Sequence, residues 1–444
     1  MKTNIGSMAA IGWMACALGA FGGEAGNSGK PAYTLEACVE MGLERAAAAR
    51  NARRDEQIAE KRINQVRAQL LPQLRASGSY TRIDEVPVSE SDDGETTELG
   101  REDNLAAGVE ASQLLYSGGS VGAALKAATL YRDTAKASVR QVESEVARDV
   151  RVGFNGILLA DEQVKVQEAS LAQLEDLLAQ AEARFRQQTA SEFEVLTAKV
   201  RVANERPALI AARKRAALAR AAFRNLVQLE EADYDLEGEL AFEPSERTLE
   251  EWTALGLERR PELAELRNLL GMWAADIRAE QGGGLPQVRA FAGYRGQNPE
   301  SGSAEDAWEW GWSAGVAVEW SVFDGLLRRN RVEEKRLELE KARETLEDAE
   351  RGIELEIQAH YLDLRQAAET VGSSAENVEL AEKGLEIAEA RYQNGLATYL
   401  DYTDANLALR NARLIRLLAL HEHMNALARL EQASGEEYEL GERP

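Results

Sequence analysis

Residues able to do acid–base or metal chemistry are few: the chain has three histidines and two cysteines among 444 residues. His421 and His423 lie two apart in a stretch read as helix, so they point to different faces. A shared metal on a helix needs an i, i+4 pair. His360 stands alone. The segment "YSGGSVGAALK" (Tyr116–Lys126) looks like a phosphate loop but lacks the GxxxxGK[ST] spacing; its glycines fit a bend instead. Cys38 reads as a buried, inert thiol. No Ser/His/Asp set, no pair of catalytic carboxylates and no cofactor or metal site emerges. The chain reads as a non-enzyme.

With so little chemistry to place, the elements carry the information, and the first is a repeat. "TLEACVEMGLER" (Thr34–Arg45) and "TLEEWTALGLER" (Thr248–Arg259) are offset by 214 in numbering and share seven of twelve positions. At the same offset "LLPQLRASGSY" (Leu70–Tyr80) faces "GLPQVRAFAGY" (Gly284–Tyr294). Beyond a polar loop the offset drops to 207, where "LYSGG" (Leu115–Gly119) meets "VFDGL" (Val322–Leu326) and Asn204 meets Asn411. Two near-complete copies differing by one loop indel indicate internal duplication.

Ala, Leu, Glu, Arg and Gln dominate the composition, which suits long helices. A formal net charge of −24 argues against nucleic acid as a partner. The opening, "MKTNIGSMAAIGWMACALGAFGGEAG", has one early Lys2, a short apolar stretch and a small-residue exit, the pattern of a secretory signal cleaved between about Gly22 and Ala25. Cys16 is a possible lipidation site. No later apolar run reaches the roughly 18 residues that a bilayer-spanning helix needs. No transmembrane helix is therefore expected, and an exported chain is left soluble, lipid-anchored or a β-barrel.

Each copy reads helix, strand, loop, strand, very long helix, turn, helix. The first helix is predicted over about Leu35–Leu70, and Pro72 and Pro286 end the helical pattern. Past them the period becomes two. The clearest strand is "WEWGWSAGVAVEWS": Trp308, Trp310, Trp312, Ala314, Val316, Val318 and Trp320 share one face. From Trp310 to Trp320 a strand covers roughly 33 Å, or roughly 25 Å of height at a tilt of about 40°, the apolar band of an outer-membrane barrel with Trp at both rims. A strand of a soluble sandwich alternates equally well but has no reason to carry indoles at each end. Four strands cannot close a barrel, and an open edge in lipid is not tolerated, so several chains must share one. The long helices, Gly119 to about Gln187 and about Leu326 to Gln393, would each run roughly 100 Å. The seams Leu171, Leu174, Leu178, Ala181, Phe185 and Val378, Ala381, Leu385, Ala388, Tyr392 suit coiled coils. Pro207 is expected to kink the returning helix of copy one, and Pro261 fits a helical first turn.

These features, in this order and twice over, resemble the TolC-like outer-membrane factors of Gram-negative export systems. The residues carrying the resemblance are the duplicated "TLE…GLER", "ERRPEL", the paired "LPQ…Y" strand starts, "LYSGG"/"VFDGL" and the hairpin "ARYQNGLATYLDYTDANLAL". The resemblance implies a mainly helical fold with a membrane β part. In it, long coiled-coil hairpins form a periplasmic α-barrel, and four strands per chain join a shared, trimeric, twelve-stranded outer-membrane barrel. It also implies a homotrimer in contact with outer-membrane lipid, a periplasmic adaptor and an inner-membrane pump. A periplasmic constriction would fall at Asp401 and Asp404, with Glu194 at the matching position of the first hairpin and Tyr392 in a latch between helices. Ala397 and Gln188 depart from the family pattern, Ala397 where some members carry a latch arginine and Gln188 in place of a turn glycine. Asp401 and Asp404 share a helical face, and acidic residues near a helix start also complement its dipole.

The expected organisation is a signal over 1–25, a first repeat over 34–230 with strands at about 73–82 and 104–115, and a connecting equatorial segment over 231–247. A second repeat follows over 248–434, with strands at about 287–296 and 308–321, and then a tail over 435–444. The expected function is a passive outer-membrane conduit for small molecules. Protein secretion through the same fold, and a periplasmic coiled-coil scaffold or adaptor, stand as alternatives.

Overall fold

The computed structural model describes residues 30–86, 88–90, 96–98, 101–298 and 308–436. The signal segment with Cys16, residues 299–307, and the tail beyond 436 lie outside the described residues. The first copy begins with β1 (Ala32–Thr34), α1 (Leu35–Arg45) and α2 (Ala47–Ala68). It continues through β2 (Gln73–Arg82), a small antiparallel hairpin of β3 (Val88–Glu90) and β4 (Thr96–Glu98), and β5 (Asp103–Tyr116) into α3 (Ser120–Arg186) and α4 (Glu192–Val227). After β6 (Asp235–Glu237) the second copy repeats the order as α5 (Leu249–Arg259), α6 (Pro261–Gly282), β7 (Gln287–Gln297), β8 (Glu309–Glu319), α7 (Leu327–Gln393) and α8 (Tyr399–Ala433).

The repeated "TLE…GLER" now has a physical explanation. Thr34 and Thr248 are N-caps whose hydroxyls accept from the backbone N–H of Ala37 and Glu251. The two glycines then let each short helix lie against a long one. A Cβ on Gly42 would come within 2.8 Å of Val150 on α3, and one on Gly256 within 2.3 Å of Ile357 on α7. Each short helix stops at the same place, Ala46 and Arg260, where ψ turns to about 130 and 125. The single helix expected over Leu35–Leu70 is thus two, because the chain bends so that α1 lies on α3 before α2 sets off along it. Pro261 occupies the first turn of α6. The helix α4 continues through Pro207, which is exposed, so the Ala203 carbonyl that lacks its helical donor faces water.

The long helices α3 and α7 each have 67 residues, roughly 100 Å at 1.5 Å per residue. Each folds back on its partner through a short turn, α3 with α4 and α7 with α8. Where α4 ends, about midway along α3, Val39, Val150, Phe154, Phe223 and Tyr234 form a buried cluster. Trp252, Leu263, Ile357 and Leu430 form the equivalent in the second. Charged side chains brace these clusters: buried Arg260 bonds Glu356 and Glu262, and Arg53 bridges α2 to Glu143 on α3. β1 pairs in parallel with β6, tying the start of the chain to the segment between copies.

The main sheet is antiparallel in the order β2-β5-β7-β8. In the first hairpin Gln73 faces Ser112, and in the second Gln287 faces Glu319. An offset of 214 carries Gln73 to Gln287, and one of 207 carries Ser112 to Glu319, so the duplication extends to strand register. Among the described residues both outer strands, β2 and β8, pair on one side only.

Candidate functional site: an apolar sheet face and a tied helical tip

Register divides the sheet into two faces. One carries Leu74, Ala76 and Tyr80, then Leu105, Val109 and Ala111, then Val288, Ala290, Ala292 and Tyr294, and finally Trp310, Trp312, Val316 and Val318. The other carries Arg75, Ser77 and Ser79, then Asn104, Glu110 and Ser112, then Arg289 and Arg295, and finally Glu309, Ser313 and Glu319. Phe291 falls on the polar face and covers Gly315, where an added Cβ would sit 3.1 Å from its ring. The apolar face is uncovered: Leu74 is 76% exposed, Trp312 79% and Val318 65%. So large an exposed apolar surface marks a membrane or protein contact.

Aromatic rings crowd both ends of this face. At the loop end Trp310 stacks with Trp308 (5.7 Å) and with Tyr294 (5.2 Å), and Trp312 faces Tyr294 across the strands. At the helix end the Trp320 indole donates to the Gly284 carbonyl at 3.0 Å, with Leu71, Val322 and Phe323 exposed nearby. The amphipathic rings thus sit where an apolar band would meet water on either side.

At the far end of the helices, Tyr392 belongs to a buried cluster with Leu177, Ala181, Val195, Ala198 and Tyr399, while Glu194 lies in the first turn of α4 and Asp401 and Asp404 at the start of α8, both exposed. The Tyr392 hydroxyl donates to Glu194 at 2.8 Å, joining α7 to α4. Burial, reinforced by that bond, pushes its pKa up to about 12. The ring has two further contacts: Arg184 lies over it at 4.4 Å, and Tyr402 stacks at 5.6 Å with an interplanar angle of 2°. Asp401 is the third residue of α8, and its carboxylate accepts from the backbone N–H (2.8 Å) and hydroxyl (2.7 Å) of the N-cap Thr398. Those bonds hold Asp401 below the usual carboxylate range. Asp404, one turn on, is exposed and lies 3.7 Å from Arg201 of α4. Further along, Arg410 donates to both oxygens of the buried Glu205 at 2.8 and 2.6 Å, and Asn406 donates to Gln173 at 3.0 Å. The two hairpins of one chain are therefore tied by a series of polar contacts. Sequence reasoning missed Arg184, Arg201 and Tyr402. The offset of 207 places Arg184 opposite Arg391, a signal that existed but gave no partner.

The histidines are held locally. His423 is buried with Nε2 2.9 Å from the Glu243 carbonyl and its ring against Phe242, and His421 contacts the side chain of Asn425. Cys38 is buried, and desolvation pushes its thiol up to about 12.

The sequence matches the model of the outer membrane efflux protein family over residues 39–227 and 252–436. The chain belongs to the outer membrane efflux protein family. Members are outer-membrane channels of tripartite efflux systems, built from two repeats, with a β-barrel and a helical part extending into the periplasm. Channels of this family are homotrimeric and work with an adaptor and an inner-membrane pump. The fold is similar to that of the Campylobacter jejuni CmeC outer membrane channel (TM-score 0.75, 16% identity, covering 92% of this chain and 87% of that one). It is also similar to the outer membrane protein VceC from Vibrio cholerae (TM-score 0.71, 18% identity, 90% and 96%). A third likeness is to the open state of the Neisseria gonorrhoeae MtrE outer membrane channel (TM-score 0.69, 18% identity, 90% and 88%). No curated protein sequence matches significantly.

Proposed function

We propose that this outer membrane efflux protein is a passive conduit that carries small molecules from a periplasmic adaptor and inner-membrane pump to the exterior. It performs no chemistry of its own. The observation that carries this reading is the four-stranded sheet with one uncovered apolar face and two unpaired edges, continuous with helices of about 100 Å. A coiled-coil scaffold would leave that face without a use. Hydrocarbon gives the face a solvent, and closure with further copies removes the edges. The polar face then lines a water-filled lumen.

Asp401 and Asp404, together with Glu194 and Tyr392, form the periplasmic constriction in this reading. Threefold repetition would bring six aspartates around one axis, where a low-dielectric wall strengthens their field. Tyr392 and Glu194 hold the second hairpin against the first, so the tip opens when that tie is released. Membrane fractionation tests the proposal. A heat-modifiable oligomer in the outer membrane supports it, and a soluble elongated species in the periplasm overturns it.

A further inference from the structure

In a shared barrel the bare edge of β8 must meet the bare edge of β2 on the next protomer, and the duplication prescribes how. The first hairpin maps onto the second along every pair, by an offset of 214 on β2 and of 207 on β5. The two copies are thus equivalent in backbone register. The join between copies inside one chain, β5 with β7, is then the counterpart of the join between chains, β8 with β2. Within the chain, Ser112 faces Phe291, Gln113 faces Ala290, and Leu114 faces Arg289. Advancing each β5 position by 207 and moving each β7 position back by 214 gives the seam.

Building on the channel reading above, we propose that a second copy of this chain docks with Glu319 opposite Ser77 of the partner subunit and Trp320 opposite Ala76 of the partner subunit. An ion pair between Glu319 and Arg75 of the partner subunit ties this seam on the luminal side.

Three observations support the register. It keeps the faces: Glu319, Ser77 and Arg75 are all on the polar side, and Trp320 and Ala76 on the apolar side. It sets a small residue against the Trp320 indole, as Ala290 stands opposite Gln113 within the chain. It also gives partners to two charges that have none, for neither Arg75 nor Glu319 makes an ion pair among the described residues. Glu110 faces Arg75 across β2–β5 without pairing with it. A diagonal neighbour on one face of an antiparallel pair lies about 7–8 Å away, within reach of long side chains.

Cysteine pairs read the register directly. Residues facing each other have Cα atoms about 4.5–5.5 Å apart, inside the disulfide range, whereas a slip of two residues takes them out of it. Oxidised membranes containing the Ser77→Cys/Glu319→Cys protein should yield covalent trimers on a non-reducing gel, while Arg75→Cys/Glu319→Cys and Ser79→Cys/Glu319→Cys should stay mostly unlinked. Arg75→Glu should reduce the heat-resistant trimer severalfold, and the exchange Arg75→Glu/Glu319→Arg should restore it. Linking only at a shifted pair, or a double exchange no better than the single one, overturns the seam while leaving a trimeric channel intact. An unmodified protein that forms no outer-membrane oligomer overturns the channel reading itself.

Discussion

Each acidic residue at the helical tip has a local function as well as the proposed one. Asp401 closes a capping box with Thr398, and its carboxylate is held low by those bonds. A depressed carboxylate stabilises the fold above its unfolded pKa and loses that contribution as pH falls through the folded value, so this cap weakens only in acid. Asparagine at 401 can still accept from the Thr398 N–H, which separates cap from charge. Bilayer recordings of Asp401→Asn/Asp404→Asn should show block by multivalent cations weakened on the order of tenfold, with amide-exchange protection of the first turn of α8 retained. Unchanged block removes the constriction assignment. Tyr392 titrates in the opposite sense. With its folded pKa raised to about 12, its contribution is present below the unfolded value near 10 and is lost as pH rises through the folded one. The tie to Glu194 therefore holds across the neutral range. Tyr392→Phe removes a bond to a charged acceptor, worth roughly 1.5–3 kcal/mol and toward the lower end because the bond to Glu194 is only partly buried. It should raise the fraction of open channels at neutral pH, and equal open probability would show that the tie does not hold the tip.

Among the elements, the long hairpins are placed by the short helices laid across them. Gly256 touches Ile357 where Gly42 touches Val150, two contacts at matching positions of the copies. Gly256→Val should destabilise the fold by about 1–3 kcal/mol through overpacking, lowering the thermal midpoint and the yield of folded protein. Gly352 on α7, with open space around its Cα, provides the contrast: Gly352→Ala should be neutral or stabilising by about 0.5–1 kcal/mol, as for a helical glycine. Similar losses at both positions would show that helix disturbance, not the close approach, is what matters. The stretches outside these contacts follow local rules. Gly395 closes the second hairpin turn at φ 71, and Gln188 takes the same left-handed conformation at φ 60 in the first, so the turn geometry overrides the side chain that departs from the family pattern.

At the scale of the molecule, the sheet decides where the protein resides. In the proposed channel its apolar face meets lipid, and Trp320, at the helix end of the sheet, stands near a membrane–water boundary. Trp320→Arg places a charge on that face, with a cost of roughly 2–4 kcal/mol at a midplane and less toward a rim. Heat-modifiable trimer should fall in proportion, and a normal trimer yield would count against lipid contact at this position. The channel is thus defined by surfaces a single chain leaves unfinished, the two bare strands and the apolar stripe between them.

The duplication, the strand segments around Tyr80, Tyr294 and Trp312, the two long helices and the Gly-containing turns were legible in the sequence, because each rests on short-range rules: a period of two or near 3.6, a proline that ends a helix, a residue spacing. The pairing of the copies was not. That β5 joins β7, that the chain bends at Ala46 without a proline, and that Arg184 rests on Tyr392 depend on contacts between residues far apart in the chain. So does the commitment of Asp401 to Thr398, since whether a carboxylate faces its own cap or open water is settled by rotamer and packing rather than by residue type. Periodicity assigned faces to strands and helices, and only tertiary contact could say what each face meets.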